Sequence, residues 1–219
     1  MPDTSLTIVC LPDGTPTDRL ADDAAAALFG TPLTSLGPAA HFAVSTRRRA
    51  RLLQPWQDTA AGGPIHLLDL NAMRTAASHE AWYRWHCWQQ VTTGTRPAQP
   101  YWTFVQRHLD QPSRYSLARA QDDYRAQPRI SCMLAHNGAA GPAWQLPTTN
   151  LEAFQTGLHG YVSYGWLSAV PGEYLLHGED TFLGLRGPHH ADRVASLTAA
   201  NRFLDSLHRG VVLVALCTR

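Results

Sequence analysis

His177 and Glu179 flank Gly178 in a short polar segment, and His189, His190 and Asp192 follow it closely. An imidazole and a carboxylate two positions apart on a turn project to one side of the backbone. With a distant histidine they make the ligand set of a non-haem iron facial triad or a hydrolytic zinc site. One expectation is therefore a divalent metal held by His177, Glu179, His189 and Asp192, with His208 as a further candidate ligand. Without a metal, His177, Glu179 and His190 become the acid–base groups, because imidazole titrates near neutral pH. The spacing is short for facial-triad oxygenases, and the PCxxC that follows HxE in zinc deaminases is absent. The structural alternative is a polar hairpin turn followed by a capped helix start.

A second constellation is aromatic. Ser78 to Trp88 reads as a helix, with Trp82 and Trp85 along one side and His79, Tyr83 and His86 on another stripe. With Trp102 nearby in sequence, Trp82, Trp85 and His86 could wall a flat ligand pocket or a base-stacking platform. Three Trp in the stretch 82–88 exceed what core filling needs. A third constellation is basic: Arg47, Arg48, Arg49 and Arg51 form a local positive patch suited to phosphate, through bidentate guanidinium forks.

Other chemistry is closed off. All 18 basic residues are Arg and there is no Lys, as expected of a GC-rich, bacterial coding background. Lysine-dependent phosphate loops, kinase sites, pyridoxal Schiff bases and Ser–Lys dyads are thereby excluded. Tyr161 to Gly165 resembles a nucleophile elbow, but Tyr161 stands where glycine is required. No GxGxxG is present, so a dinucleotide fold is not expected.

The 219 residues carry a net charge of +1 and only 16% charged residues, so the surface must use Gln, Asn, Thr, Ser and His instead. The apolar run Leu6 to Leu11 is too short for an export-signal core. No stretch has the roughly 20 apolar residues of a membrane span. The expectation is a cytoplasmic protein with no membrane partner and reduced, buried cysteines at Cys10, Cys87, Cys132 and Cys217.

The elements that must position these residues follow from periodicity. Strands are expected at 6–11, 41–46, 65–70, 129–136, 174–177, 181–185 and 211–217. Helices are expected at 18–29, 81–91, 100–109, 116–126, 149–159 and 192–207. The last has Val194, Leu197, Leu204 and Leu207 on one stripe. The Gly-, Pro- and Ala-rich stretch 137–149 reads as a connector. The fold class is therefore mixed α+β: a ferredoxin-like half with helical elaboration over 1–137 and a smaller α+β half over 149–219, or one continuous domain. The runs 6–11 and 211–217 are apolar throughout, which favours a sheet covered on both faces.

Eleven histidines, several beside carboxylates or aromatics, point to an enzyme processing a small-molecule ligand by histidine acid–base or metal chemistry. Paired ferredoxin-like units are similar in topology to the CRISPR RNA-processing endonucleases. That resemblance implies a nucleic-acid-binding or RNA-processing subunit with a catalytic histidine. The Arg cluster fits it; the near-zero net charge and the missing Gly-rich loop before the last strand do not. A non-catalytic subunit presenting its aromatic face to a protein partner is the third expectation.

Overall fold

The computed structural model describes residues 4–45, 49–177, 181–184 and 189–219. In chain order its elements are β1 (Ser5–Leu11), α1 (Leu20–Ala26), β2 (Ser35–Pro38), β3 (Phe42–Ala43), β4 (Thr59–Ala60), β5 (Gly62–Pro64) and α2 (Leu70–Val91). Then come α3 (Tyr101–Asp110), α4 (Leu117–Arg125), α5 (Pro128–Ala139), α6 (Leu151–Gln155) and α7 (Leu158–Ser168). The chain ends with β6 (Tyr174–His177), β7 (Thr181–Gly184), α8 (His190–Ser206) and β8 (Val212–Thr218). The class is α+β. The chain divides into two units, Met1–Ala77 with Trp166–Arg186 and Asp192–Arg219, and Ser78–Gly165 with Gly187–Ala191.

The first unit is built on one sheet of order β2-β8-β1-β6-β7. β1 lies antiparallel to β8, from Ser5 opposite Thr218 to Leu11 opposite Val212, and parallel to β6. Two ferredoxin-like halves do not emerge from this pairing, because the first and last strands lie side by side in one sheet. The other edge of β8 is shared end to end: β2 takes Leu216 to Thr218 and β5 takes Val212 to Val214. Side chains alternate across the sheet. Ile8, Cys10, Leu213 and Ala215 point into a core with Leu175, Ala200 and Leu204. Val9, Leu11, Val212, Val214 and Leu216 point into the opposite core with Leu20, Ala24 and Leu28. The largely apolar β1 and β8 are thus explained by helices on both faces: α8 on one, α1 on the other. The polar side chains of Thr7 and Thr218 are buried and satisfy each other, with hydroxyl oxygens 2.8 Å apart.

The second unit is helical. Its core holds Trp88, Tyr124, Ile130, Met133, Leu146, Leu151 and Phe154. Trp88 stacks on Phe154 at 5.2 Å and 9°, and Phe154 on Tyr161 at 4.2 Å and 16°. Side-chain amides hold its irregular segments. Gln155 both accepts from Ala98 N–H at 2.8 Å and donates to its carbonyl at 2.9 Å. Asn137 clamps Leu146 in the same two-way fashion, at 2.6 and 2.8 Å. Arg129 donates to Thr95 and Gln155 and lies over the Trp88 ring.

Four expectations about elements are corrected. The segment 129–136 lies in helix α5, where Pro128 opens the helix and Ile130 and Met133, three apart, are the buried pair. Residues 65–67 form a 3-10 turn, and the strand is Gly62–Pro64 just before it. A β-carbon on Gly62 would meet the Leu213 carbonyl at 2.5 Å, so only glycine lets this strand reach β8. The aromatic helix does not start at Ser78: α2 begins at Leu70, with the Asp69 carboxylate accepting from Ala72 N–H at 2.9 Å. The 149–159 helix is broken at Gly157, whose φ of 89° separates α6 from α7.

Candidate functional site

The helix α2 sorts its aromatics by angle. Ala81, Trp85 and Trp88, spaced i, i+4, i+7, face the core of the second unit. Trp85 Nε1 donates to the Phe154 carbonyl at 3.1 Å and its ring packs toward Trp88, so this side chain is structural. Trp82 instead turns outward, 43% exposed, edge-on to Tyr83 and 4.2 Å from the His86 ring. Trp82 and Trp85 therefore do not make one wall.

The wall is made by the next stripe. Glu80, Tyr83, Arg84 and Cys87 line a cleft of about 260 Å³, and Trp144 lines it with them. Tyr83 and Trp144 are each 61% exposed. Trp144 belongs to a 3-10 turn opened by Pro142, with its amide bonded to the Gly141 carbonyl. Arg84 pairs with Glu80 one helical turn away, and its charge acts on the Tyr161 hydroxyl. Burial pushes the Tyr161 hydroxyl pKa up, and the Arg84 charge offsets part of that. The Glu80–Arg84 pair leaves the cleft with little net charge.

Cys87 brings a nucleophile to this cleft. Its Sγ lies 3.7 Å from His136 Nε2. The same nitrogen is 3.0 Å from the Trp144 carbonyl oxygen. A carbonyl can only accept, so Nε2 carries the proton and donates it. In this arrangement the single Nε2 hydrogen is given to the Trp144 carbonyl, and Nε2 has no lone pair to take a proton from Cys87. Burial pushes the Cys87 thiol pKa up, so the resting sulfur is protonated.

The residues picked from sequence are distributed more widely. His177 ends β6 in the first unit, with its ring 5.1 Å from Phe203. Glu179 lies outside the described residues, as do Arg47 and Arg48. His189 and His190 belong to the second unit. His189 Nδ1 is 3.9 Å from Glu152, and its ring is 6.3 Å from Trp102. His190 N–H donates to Glu152 at 3.3 Å, and its ring meets Tyr164 edge-on at 4.9 Å. Asp192 sits in the first turn of α8, and His208 accepts from Gly210 N–H at 3.2 Å. Among the described residues no three His, Cys, Asp or Glu side chains group closely enough to hold a metal ion. Arg49 and Arg51 form an exposed 3-10 turn in the first unit.

Sequence reasoning missed Cys87, His136, Arg84 and Trp144. The i, i+4, i+7 spacing of Glu80, Arg84 and Cys87 was visible, and so was a tryptophan in a Gly–Pro segment. That His136 and Trp144 would reach Cys87 was not. Cys10 is buried, while Cys87, Cys132 and Cys217 are partly exposed, and all four are free thiols. No helix among the described residues is long and apolar enough to cross a membrane. No family model, no curated protein and no solved structure matches the chain.

Proposed function

We propose that the chain binds a small, flat, largely apolar molecule in the cleft between Tyr83 and Trp144. The observation that carries this reading is two large aromatic side chains, each 61% exposed, lining one cleft of about 260 Å³. That volume lies just under the roughly 300–1,000 Å³ of drug-sized pockets, which suits a single ring system. The neutralised Glu80–Arg84 pair supplies a polar edge without selecting for strong charge.

The Cys87–His136 contact favours a second reading, in which the bound molecule is also transformed by histidine acid–base chemistry. His136 would then have to leave the Trp144 carbonyl and shift its proton through water to Nδ1, so that the bared Nε2 lone pair can take the thiol proton.

The test is site-resolved alkylation. Single-ring aromatic fragments are screened by ligand-observed NMR against the wild type and Trp144→Ala. Iodoacetamide labelling is then read by mass spectrometry at each cysteine. A cleft ligand should slow labelling of Cys87 and leave Cys132 unchanged, and Trp144→Ala should abolish both binding and protection. Fragments that bind both proteins equally, or that never protect Cys87, reject the reading.

A further inference from the structure

A hairpin in the first unit carries chemistry that the cleft does not use. Leu53 pairs with Gly62, and Trp56 with Thr59 through reciprocal backbone hydrogen bonds of 2.8 and 2.9 Å. The Thr59 hydroxyl donates to the Trp56 carbonyl at 2.9 Å. Gln54 and Gln57 both occupy the left-handed region, with φ of 45° and 48°. Residues with a side chain seldom do so, and glycine would fit both positions without strain. What this backbone achieves is display: Trp56, between the two glutamines, is 71% exposed.

Arg49 holds the tip in place, its Nη2 donating to the Gln57 carbonyl at 2.7 Å. Arg49 and Arg51 are both exposed. Residues 46–58 contain four Arg and a single acid, Asp58, so the local charge is strongly positive although the chain's is only +1. A large indole kept in water has no role in core packing, and the Arg49 guanidinium reaches the backbone of the residue next to it. Strained, over-determined backbone of this kind is typical of ligand-holding loops.

We infer that Trp56, with Arg49 and Arg51, is a stacking site for single-stranded nucleic acid. A base lies on the indole face, and the guanidinium groups engage the neighbouring phosphates. A lipid surface fits less well. The residues that flank Trp56 in sequence, Gln54, Pro55, Gln57 and Asp58, bring two amides and a carboxylate to a surface that would have to meet acyl chains. This site is independent of the Tyr83–Trp144 cleft and shares no residue with it.

The experiment is fluorescence anisotropy of labelled mixed-sequence RNA and DNA strands of about 12 nucleotides, at about 50 mM salt and above. The wild type should bind, more weakly as salt rises. Trp56→Ala should weaken binding about tenfold with the salt slope kept, and Trp56→Phe should restore most of the loss. Arg51→Gln should flatten the salt slope by about 0.7. Circular dichroism melts of each variant should match the wild type, since both side chains are exposed. Absence of binding to either strand at low salt overturns the inference. So does equal affinity of Trp56→Ala, or binding to phosphatidylserine vesicles without binding to the oligonucleotides.

Discussion

Arg74 is a buried basic group of the first unit, and replacing it with Met probes how that unit is tied together. The residue is 5% exposed. Its Nη2 donates to Asn201 Oδ1 at 2.9 Å and to Asp205 Oδ1 at 2.8 Å, and its guanidinium lies 4.5 Å from the Trp166 ring centroid. One side chain of α2 therefore engages both α8 and α7. Methionine keeps most of the stem and loses the donors. The Asn201 oxygen, in a side chain 3% exposed, then loses this donor, at a cost of about 1–3 kcal/mol. The cation–π contact, about 0.5–2 kcal/mol, is partly replaced by a thioether–aromatic contact of similar size. Against these losses, the charge no longer has to be desolvated, and the Arg74 Nε, buried with no partner among the described residues, disappears. The Asp205 side chain is 53% exposed and returns to water at a cost of about 0–1 kcal/mol. The balance for Arg74→Met is a loss of about 1–3 kcal/mol. Asn201→Ala should cost more, about 2–4 kcal/mol, because it also removes the donors to the Leu167 and Leu197 carbonyls and takes one of two acceptors from the buried cation. Asp205→Asn should cost under about 1 kcal/mol. Urea melts give all three values. The reasoning is refuted if Asp205→Asn is the most damaging of the three, or if Arg74→Met melts at or above the wild-type midpoint.

Burial pushes the Cys10 thiol from its ordinary 9.0 up to about 12. The folded chain thus keeps a proton that the unfolded chain releases, and stability should fall above pH 9 by up to about 1.4 kcal/mol per pH unit. Cys10→Ala should flatten the fall in melting temperature between pH 9 and 10, below the range where Tyr124, also pushed up to about 12 by burial, begins to contribute; an equally steep fall in the variant rejects this. Gly62→Ala would set a β-carbon 2.5 Å from the Leu213 carbonyl and 3.0 Å from Val214 Cα, both backbone, and should cost more than about 2 kcal/mol. Gly138→Ala in α5, with nothing within 4 Å of its new carbon, should instead stabilise by about 0.5–1 kcal/mol in the same melts, and equal behaviour of the two glycine variants rejects the close-approach argument.

What could be read from the sequence is whatever one element's own pattern determines. The continuous apolar runs of β1 and β8 implied a sheet covered on both faces, and Ile8 and Val9 do enter opposite cores. Of the stripe expected on α8, Leu197 and Leu204 are buried while Val194 and Leu207 are half-buried, and Ser116 caps α4 by accepting from Arg119 N–H at 3.2 Å. The errors share a cause. The alternation Ile130, Cys132, Leu134 imitates a strand, yet Leu134 is 40% exposed while Met133 is fully buried, so burial follows the helical period. Ser35 to Pro38 has no strand signal of its own, and it pairs because β8 offers an open edge.

The candidate sites were legible only as residue types. His136 and Trp144 meet Cys87 because α5 and the following turn pack on α2 within the second unit, with Asn137 clamping Leu146 between them. None of those contacts leaves a periodic trace in the sequence. Trp56 is the sharper case. A tryptophan by type suggests core, and Gln54 and Gln57 suggest nothing, because the left-handed conformations that expose the ring belong to residues that ordinarily avoid them. A sequence that followed its local rules there would have placed glycine at both positions. That it keeps glutamine, and fastens the tip with Arg49 instead, means the hairpin's shape is held by contacts rather than by propensity. The Arg cluster stands out in the sequence for its charge alone, yet Arg49 also acts through geometry. Its Nη2 donates to the carbonyl of Gln57, the residue next to the indole, and so fixes the backbone that displays the ring.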